Sequence, residues 1–370
     1  MAVLIRRGQV VCYRTYDAAE EFDLARAATA LMEQVVTRAS FRRVKPAHLQ
    51  VADPPLQVRM GTTTVRAGSI TLGGDVVVRV FATGVASVGL WLDLPADTPL
   101  EDLKEIVAGL QDNTAVDDLA SSMVQRLVRT LGRAAHQPRP GLGVVEDYVV
   151  VLARELGPGS TPADLRQDPA LAAVLLGEPP DAPDLSTERV RQMMARALSY
   201  YDDDLVLIEW SAAFVLDPRG GEDVADILEF TTQQLVEFRF YDAFLDEELG
   251  RVYDEVEQRA RRRLWSLLAG RLNALATDLM LLRVELTEVT EKIDNSLKLA
   301  GEPFLARVYL VAVERFRITH WRVSVEEKIK LVDEMVTLVR GEVHSGRSLS
   351  LEMAVVLLIL VEIVMGLLRH

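Results

Sequence analysis

Cysteine is nearly absent. Cys12 is the one thiol in 370 residues, which excludes an intramolecular disulfide framework and any cysteine-only metal cluster, and points to a reducing compartment. Histidine is scarce as well: His48, His136, His320, His344 and His370 each lack a second His or Cys three or four residues away, the spacing a helical zinc site needs. Glu342-Val-His344 comes nearest and reads as a solvated helix end. Neither a GxxxxGKS/T phosphate loop nor a GxSxG elbow occurs, and Gly141-Leu-Gly143 lacks both the third glycine and the preceding strand of a dinucleotide loop. Basic charge is in short supply. With Lys+Arg 41 against Asp+Glu 55, the formal charge of −14 argues against a general nucleic-acid binder, whose basic face must neutralise phosphates. No apolar run follows Arg6-Arg7, so the start reads as cytosolic.

What is present is mostly architecture. Hydrophobic residues make up 49% and charged residues 26%, enough for a sizeable core and a division into two domains. Over 265–339, apolar residues recur at alternating spacings of three and four, the seam of a coiled coil. One arm runs Trp265, Leu268, Leu272, Leu275, Leu279, Leu282, Leu286, Val289, Ile293. The other runs from Phe304 and Val308 to Val336 and Val339, with Arg315 and Arg322 set into it. Between them Gly301 suits a helix end and Pro303 a helix start, so the arms are predicted to fold back antiparallel. That register places Arg315 near Glu285 and Glu288, and Arg322 near Asp278. Pairing there would set register at a cost in stability, the alternative being that the arginines extend their heads to water.

The first 218 residues read as an α+β domain. Strand patterns are predicted over 10–16, 56–60, 62–66, 69–72, 75–82 and 85–92, separated by turns such as Gly73-Gly74, and imply an antiparallel sheet. Helices are predicted over 17–36, 98–111, 114–135, 161–176 and 186–198, with Thr98 and Glu101 as a capping box. Strands are predicted over 147–156 and within 204–216. The Asp217-Pro218-Arg-Gly-Gly221 turn marks the domain boundary, and 223–263 reads as one long helix. The expected fold is therefore α+β: a mixed N-terminal domain with an antiparallel sheet (1–218), an all-helical antiparallel coiled-coil hairpin (219–345) and an apolar terminal helix (346–370).

Three stretches could carry function. Asp202, Asp203 and Asp204, with Glu209 beyond, are dense enough in oxygen to hold a divalent metal for a hydrolase, though a solvated turn before a strand is the stronger expectation. Arg259, Arg261, Arg262 and Arg263 form a basic cluster able to dock an acidic partner or RNA. The tail is the most apolar stretch, with Val355, Val356, Leu357, Leu358, Ile359, Leu360, Val361 and Ile363. It is shorter than the ~20 residues that span a bilayer and contains Glu362, so a membrane anchor and a self-association helix stand as equal alternatives.

Several of these residues resemble the required-for-meiotic-nuclear-division family. Leu205-Val-Leu-Ile-Glu-Trp-Ser-Ala-Ala-Phe-Val-Leu-Asp217 resembles the strand before that family's helices, and Glu237-Phe-Arg-Phe-Tyr-Asp242 its Leu/Glu/Arg/Tyr-Tyr-Asp helix. Arg322-Val323 and Leu351-Glu352 before the apolar run with Glu362 complete it. Met353 departs from that family's usual Trp, and the N-terminal half does not align. The resemblance implies a non-enzymatic, oligomeric protein, often membrane-associated through its C-terminal helix, whose mitochondrial members support organellar translation. The expectation is thus a cofactor-free homo-oligomeric scaffold or adaptor in the cytoplasm, its apolar tail serving either self-association or attachment to the cytoplasmic membrane face. The abundance of Arg, Ala and Val suggests a bacterial source.

Overall fold

The computed structural model describes residues 3–31, 36–38, 49–51, 54–139, 141–179, 182, 185–262, 297–299 and 303–332, with the single positions 277, 280, 284, 334 and 337. The chain divides into two compact units, Met1–Phe240 with Ile293–Thr319, and Tyr241–Lys292 with His320–His370.

The first unit is organised on β1 (Leu4–Asp17), which pairs antiparallel with β7 (Val85–Asp93) on one side and β10 (Val145–Leu156) on the other. Beyond β7 come β6 (Ile70–Val80), β5 (Leu56–Ala67) and β3 (Val36–Arg38). Beyond β10 come β12 (Ala212–Leu216) and β11 (Leu205–Ile208). The short β8 (Thr98–Pro99) also pairs with β1. All these pairs are antiparallel except β10 with β12, which is parallel. Outside this sheet β2 (Ala19–Phe22) pairs with β9 (Ala135–Pro138), and β4 (Leu49–Val51) with β13 (Leu297–Leu299).

Both faces of the sheet are covered, which is why its strands read as nearly continuous apolar runs. Val10, Cys12, Val88, Leu90, Val149 and Val151 face one core. That core is closed by α1 (Leu24–Ala30), α2 (Leu100–Gln111), α3 (Thr114–Leu131), α5 (Pro169–Leu176) and α6 (Thr187–Met194). The alternate residues Val11, Tyr13, Thr15, Arg79, Ser87, Tyr148 and Val150 are buried as well. Against them lie the start of α7 (Asp223–Arg262) and α8 (Pro303–Arg315). Phe230 of α7, for instance, meets Phe81 edge to face at 6.3 Å.

The layer under α7 is unusually polar. Arg79, 6% exposed, pairs with Asp226 at 2.6 Å and with Glu229, and reaches Gln57 at 3.3 Å. Burial works against the Arg79 charge, but Asp226 and Glu229 outweigh it and hold the guanidinium above its ordinary pKa. One turn further on, Glu237 contacts Gln233, whose amide also donates to Thr83 at 3.0 Å. Burial pushes the Glu237 carboxyl from 4.5 up to about 8, against the lowering effect of its Thr83 and Gln233 hydrogen bonds. Burial likewise pushes Asp17 up to about 6, although Arg139 pairs with it at 2.6 Å.

Local differences from the sequence expectation have local causes. The stretch 17–36 contains β2 and only the seven residues of α1, because Asp23 caps that helix by accepting from Ala25 and Arg26 amides. Thr98 forms no capping box: Pro99 is the N-cap of α2, and the Thr98 hydroxyl donates to the Pro95 carbonyl at 2.7 Å. Asp168-Pro169 splits 161–176 into α4 (Pro162–Leu165) and α5, with Pro169 in the first turn where its missing N–H costs nothing. Gly73-Gly74 is no turn. Gly74 lies within β6 opposite Leu92, where a Cβ would collide with the Trp91 carbonyl.

The described part of the second unit is helical and contains the latter part of α7 and most of a helix over 318–332. Lys328 joins Asp242 at 2.8 Å and Asp246 at 2.7 Å, and Ser324 donates to Asp242 at 2.6 Å. Desolvation opposes the Lys328 charge, but these two carboxylates hold its pKa above the ordinary value. The protein thus has a mixed α/β N-terminal domain with a multi-stranded sheet and a C-terminal region of packed helices. The second heptad arm is not one helix. It breaks after α8 at Arg317, whose φ is +53°. Most of the first arm, including Asp278, Glu285 and Glu288, lies outside the described residues.

Candidate functional site

The parallel pair β10–β12 ends where an open α/β sheet commonly binds its ligand, outside the carboxyl ends of the strands. β12 leaves through Asp217-Pro218-Arg219-Gly220, which has Asp first, Pro second and Gly last, the residue order of a type I turn. The Gly220 amide donates to the Asp217 carbonyl at 3.0 Å, and Gly220 adopts φ +77°, which L side chains rarely tolerate. The Asp217 carboxylate accepts from the amides of Arg219 and Gly221, both at 3.0 Å, and Arg154 donates to the Gly221 carbonyl at 3.0 Å. This fixed loop delivers the chain to the start of α7.

The facing wall is the turn before β11. Leu198 and Val206 exchange two backbone hydrogen bonds of 2.8 Å, closing a loop whose tip is the Tyr-Tyr-Asp-Asp-Asp run. Asp204 organises it by accepting from the Tyr200 amide at 2.8 Å and the Tyr201 amide at 3.1 Å. Tyr200 packs edge to face on Tyr201, centroids 4.7 Å apart, and on Phe304 of α8 at 5.5 Å. Tyr200 and Tyr201 remain half exposed, so ordered aromatic surface faces solvent here.

Arg219 ties the two walls together. It binds Asp203 through both carboxylate oxygens at 2.8 and 3.0 Å and Asp204 at 3.0 Å, lies 3.6 Å from Asp217, and stacks over Tyr201 with Cζ 4.1 Å from the ring centroid. Desolvation opposes its charge, but the hydrogen bond and charge of Asp203, with Asp217 and Asp204, hold its pKa above the ordinary value.

Between these walls lies a cavity of about 330 Å³. Val206, Val215, Val224 and Leu305 line its apolar part, Tyr200, Tyr201 and Phe304 its aromatic part, and Asp204, Asp217, Asp223 and Arg219 its polar part. Its size falls in the ordinary range for small-molecule pockets, and it joins an apolar lining to a few convergent polar groups as such pockets do. A smaller cavity of about 230 Å³, lined by Glu146, Asp147, Tyr148, Trp210 and Phe316 among others, lies near the opposite end of the parallel pair.

The residues singled out from sequence are placed as follows. Asp203 and Asp204 bind Arg219, Asp204 also caps the turn, and Asp202 is exposed, so these acids hold a loop together. Among the described residues, no group of His, Cys, Asp and Glu is placed to hold a metal ion. Glu209 pairs with Arg315 at 3.3 Å, while the Glu209 carbonyl accepts from the Tyr148 hydroxyl at 2.9 Å. Arg315 therefore has a carboxylate partner on the β11–β12 hairpin, and Arg322 lies 3.5 Å from Glu326. Arg259, Arg261 and Arg262 belong to the end of α7, whereas Arg263 and the apolar tail from Val355 to Ile363 lie outside the described residues. Sequence reasoning missed Tyr200, Tyr201, Arg219 and Phe304 as one cluster. The two tyrosines beside three aspartates were the available signal, but Phe304, about a hundred residues on, left none.

The family described as "Uncharacterized protein MJ0711, N-terminal domain" matches residues 7–223, more than half of the chain. The chain belongs to this family. The match takes in the main sheet apart from the first three residues of β1, the Tyr200–Asp204 loop and the turn up to the first residue of α7. The uncharacterized protein MJ0711 of Methanocaldococcus jannaschii is 27% identical over 183 residues, 49% of this chain and 54% of the relative. The chain thus spans about half the length of that relative. No solved structure matches.

Membership of the MJ0711 family corrects the resemblance to the required-for-meiotic-nuclear-division family, which rested on hydrophobic pattern in the C-terminal half. The tail-anchored scaffold inferred from it falls with it. The relative is archaeal, so the compositional inference of a bacterial source finds no support in the comparison. Among the described residues, no helix is long and apolar enough to cross a membrane. The expected membrane partner and localisation at the cytoplasmic membrane face therefore have no support, the stretch 346–370 itself lying outside the described residues.

Proposed function

We propose that this MJ0711-family domain binds a small molecule, acting as a binding protein rather than an enzyme, and that the ligand occupies the cavity between the Tyr200–Asp204 loop and the Asp217–Gly221 turn. The observation that carries this reading is a cavity of about 330 Å³ with a three-ring aromatic wall at the carboxyl end of the β10–β12 parallel pair. Its walls are pre-formed. Asp204 and Asp217 hold the two loops by backbone hydrogen bonds, and Arg219 cross-links them, so little ordering entropy remains for a ligand to overcome. The same commitments favour binding over catalysis, because two of the cavity's carboxylates, Asp204 and Asp217, are engaged in positioning backbone and the Arg219 guanidinium.

The test is a ligand-observed NMR screen of a chemically mixed fragment library against the full chain, repeated with Val224→Phe, which fills the cavity from α7. Fragments that bind the wild type and are lost in a folded Val224→Phe variant support the reading. Fragments that bind both proteins equally, or no binding fragments at all, would overturn it.

A further inference from the structure

The cavity is electrically lopsided. Its lining carries three carboxylates, Asp204, Asp217 and Asp223, with Asp203 beside them on Arg219, against two guanidiniums, Arg219 in the lining and Arg154 on the Gly221 carbonyl. The N-terminus of α7 adds only roughly half a positive charge. An anion would meet a negative field here, whereas a cation would be drawn in.

The way two of the three lining acids are used narrows the kind of cation. Both oxygens of Asp204 and both of Asp217 already accept hydrogen bonds, from the amides of Tyr200, Tyr201, Arg219 and Gly221. They supply field more readily than fresh acceptors. A primary ammonium brings three N–H donors that need acceptors, and burying it without them costs free energy. A quaternary ammonium brings none. It asks for diffuse negative potential and aromatic faces, and both are present in Tyr200, Tyr201 and Phe304. A Tyr201 face already carries one cation, the Arg219 guanidinium at 4.1 Å, so the aromatic groups left for a ligand are chiefly Tyr200 and Phe304. The apolar remainder, Val206, Val215, Val224 and Leu305, suits N-methyl groups or a short alkyl body.

Resting on the small-molecule reading above, we infer that the ligand class of this site is a quaternary ammonium compound with a small apolar body. The experiment is a set of calorimetric titrations of the full chain with choline, with its uncharged carbon isostere 3,3-dimethyl-1-butanol, and with ethanolamine, which keeps the charge but restores the N–H donors. Choline should bind saturably, at least about tenfold more tightly than either comparator, a margin one cation–π contact can supply. Tyr200→Leu, checked for folding by circular dichroism, should weaken choline by a similar factor while leaving the melting temperature nearly unchanged. Equal binding of choline and the butanol would overturn the inference by showing that charge is not recognised, and equal binding of choline and ethanolamine would overturn the quaternary assignment. Should none of the three bind while cavity-dependent fragments do, this inference fails and the binding-site reading survives. If cavity-dependent fragments are also lacking, both fail.

Discussion

Replacing Glu237 by Gln should flatten part of the protein's pH dependence. Glu237 is 3% exposed on the buried face of α7 and its partners are Gln233 and Thr83, neutral groups that cannot compensate a buried charge, so its carboxyl is pushed from 4.5 up to about 8. The folded state therefore keeps the proton over a range in which the unfolded chain gives it up. A raised carboxyl pKa contributes nothing unfavourable below the unfolded value. Stability is lost as pH rises above that value, and the loss saturates once pH passes the folded one. At about 1.4 kcal/mol per pH unit, the wild type should lose on the order of 2–3 kcal/mol between about pH 5 and pH 7 that Glu237→Gln does not. Asp17 also titrates within this window, at about 6, but is present in both proteins and largely cancels in the difference. The assay is urea titration at several pH values, read by hydrogen exchange of β6 and α7 amides so that it reports this layer. A difference between the two proteins that is flat with pH would refute the reasoning, since Glu237 would then be ionised when folded.

Arg79→Met should destabilise the first unit by about 3–5 kcal/mol, because it leaves Asp226 and Glu229 as buried uncompensated charges; adding Glu229→Met should recover part of that in chemical denaturation. Gly74→Ala should lower stability by about 1–3 kcal/mol or more through collision with the Trp91 carbonyl, seen as a lower melting temperature. Arg219→Ala should raise amide exchange in the Tyr200–Asp204 loop and the 217–221 turn with little change in the sheet, as expected for a cross-link that is one third exposed. Uniform protection in that variant would mean that the loops hold without it.

The parts of the fold that were legible in the sequence are those where local pattern and tertiary demand agree. The predicted 223–263 helix coincides with α7 over all its described residues, because its apolar period runs unbroken from Ile227 and no proline interrupts it. The β10 and β11–β12 runs were legible because strands covered on both faces are continuously apolar. Where the reading failed, a single residue carried two meanings. Gly74 has the composition of a turn but serves a close approach between strands, and Thr98 has a cap's chemistry but lies one position before a proline. The site was half legible. Asp202–Asp204 stood out as acids, and a metal was weighed against a solvated turn. That Asp204 binds its own loop and Arg219 depends on pairing between β11 and β12, which periodicity does not encode. The polar face of α7 was hidden for a similar reason: Glu229, Gln233 and Glu237 look like a solvent stripe until the sheet supplies Arg79 and Thr83.

Methyl NMR of the full chain, with valine and leucine labelled, tests the central claim most directly when a fragment or choline is titrated in. The account predicts saturable shifts concentrated at Val206, Val215, Val224 and Leu305, which line the cavity beside Tyr200 and Phe304. Shifts centred instead on Leu235, in the smaller cavity near Trp210, or no saturable shift with any ligand, would contradict it.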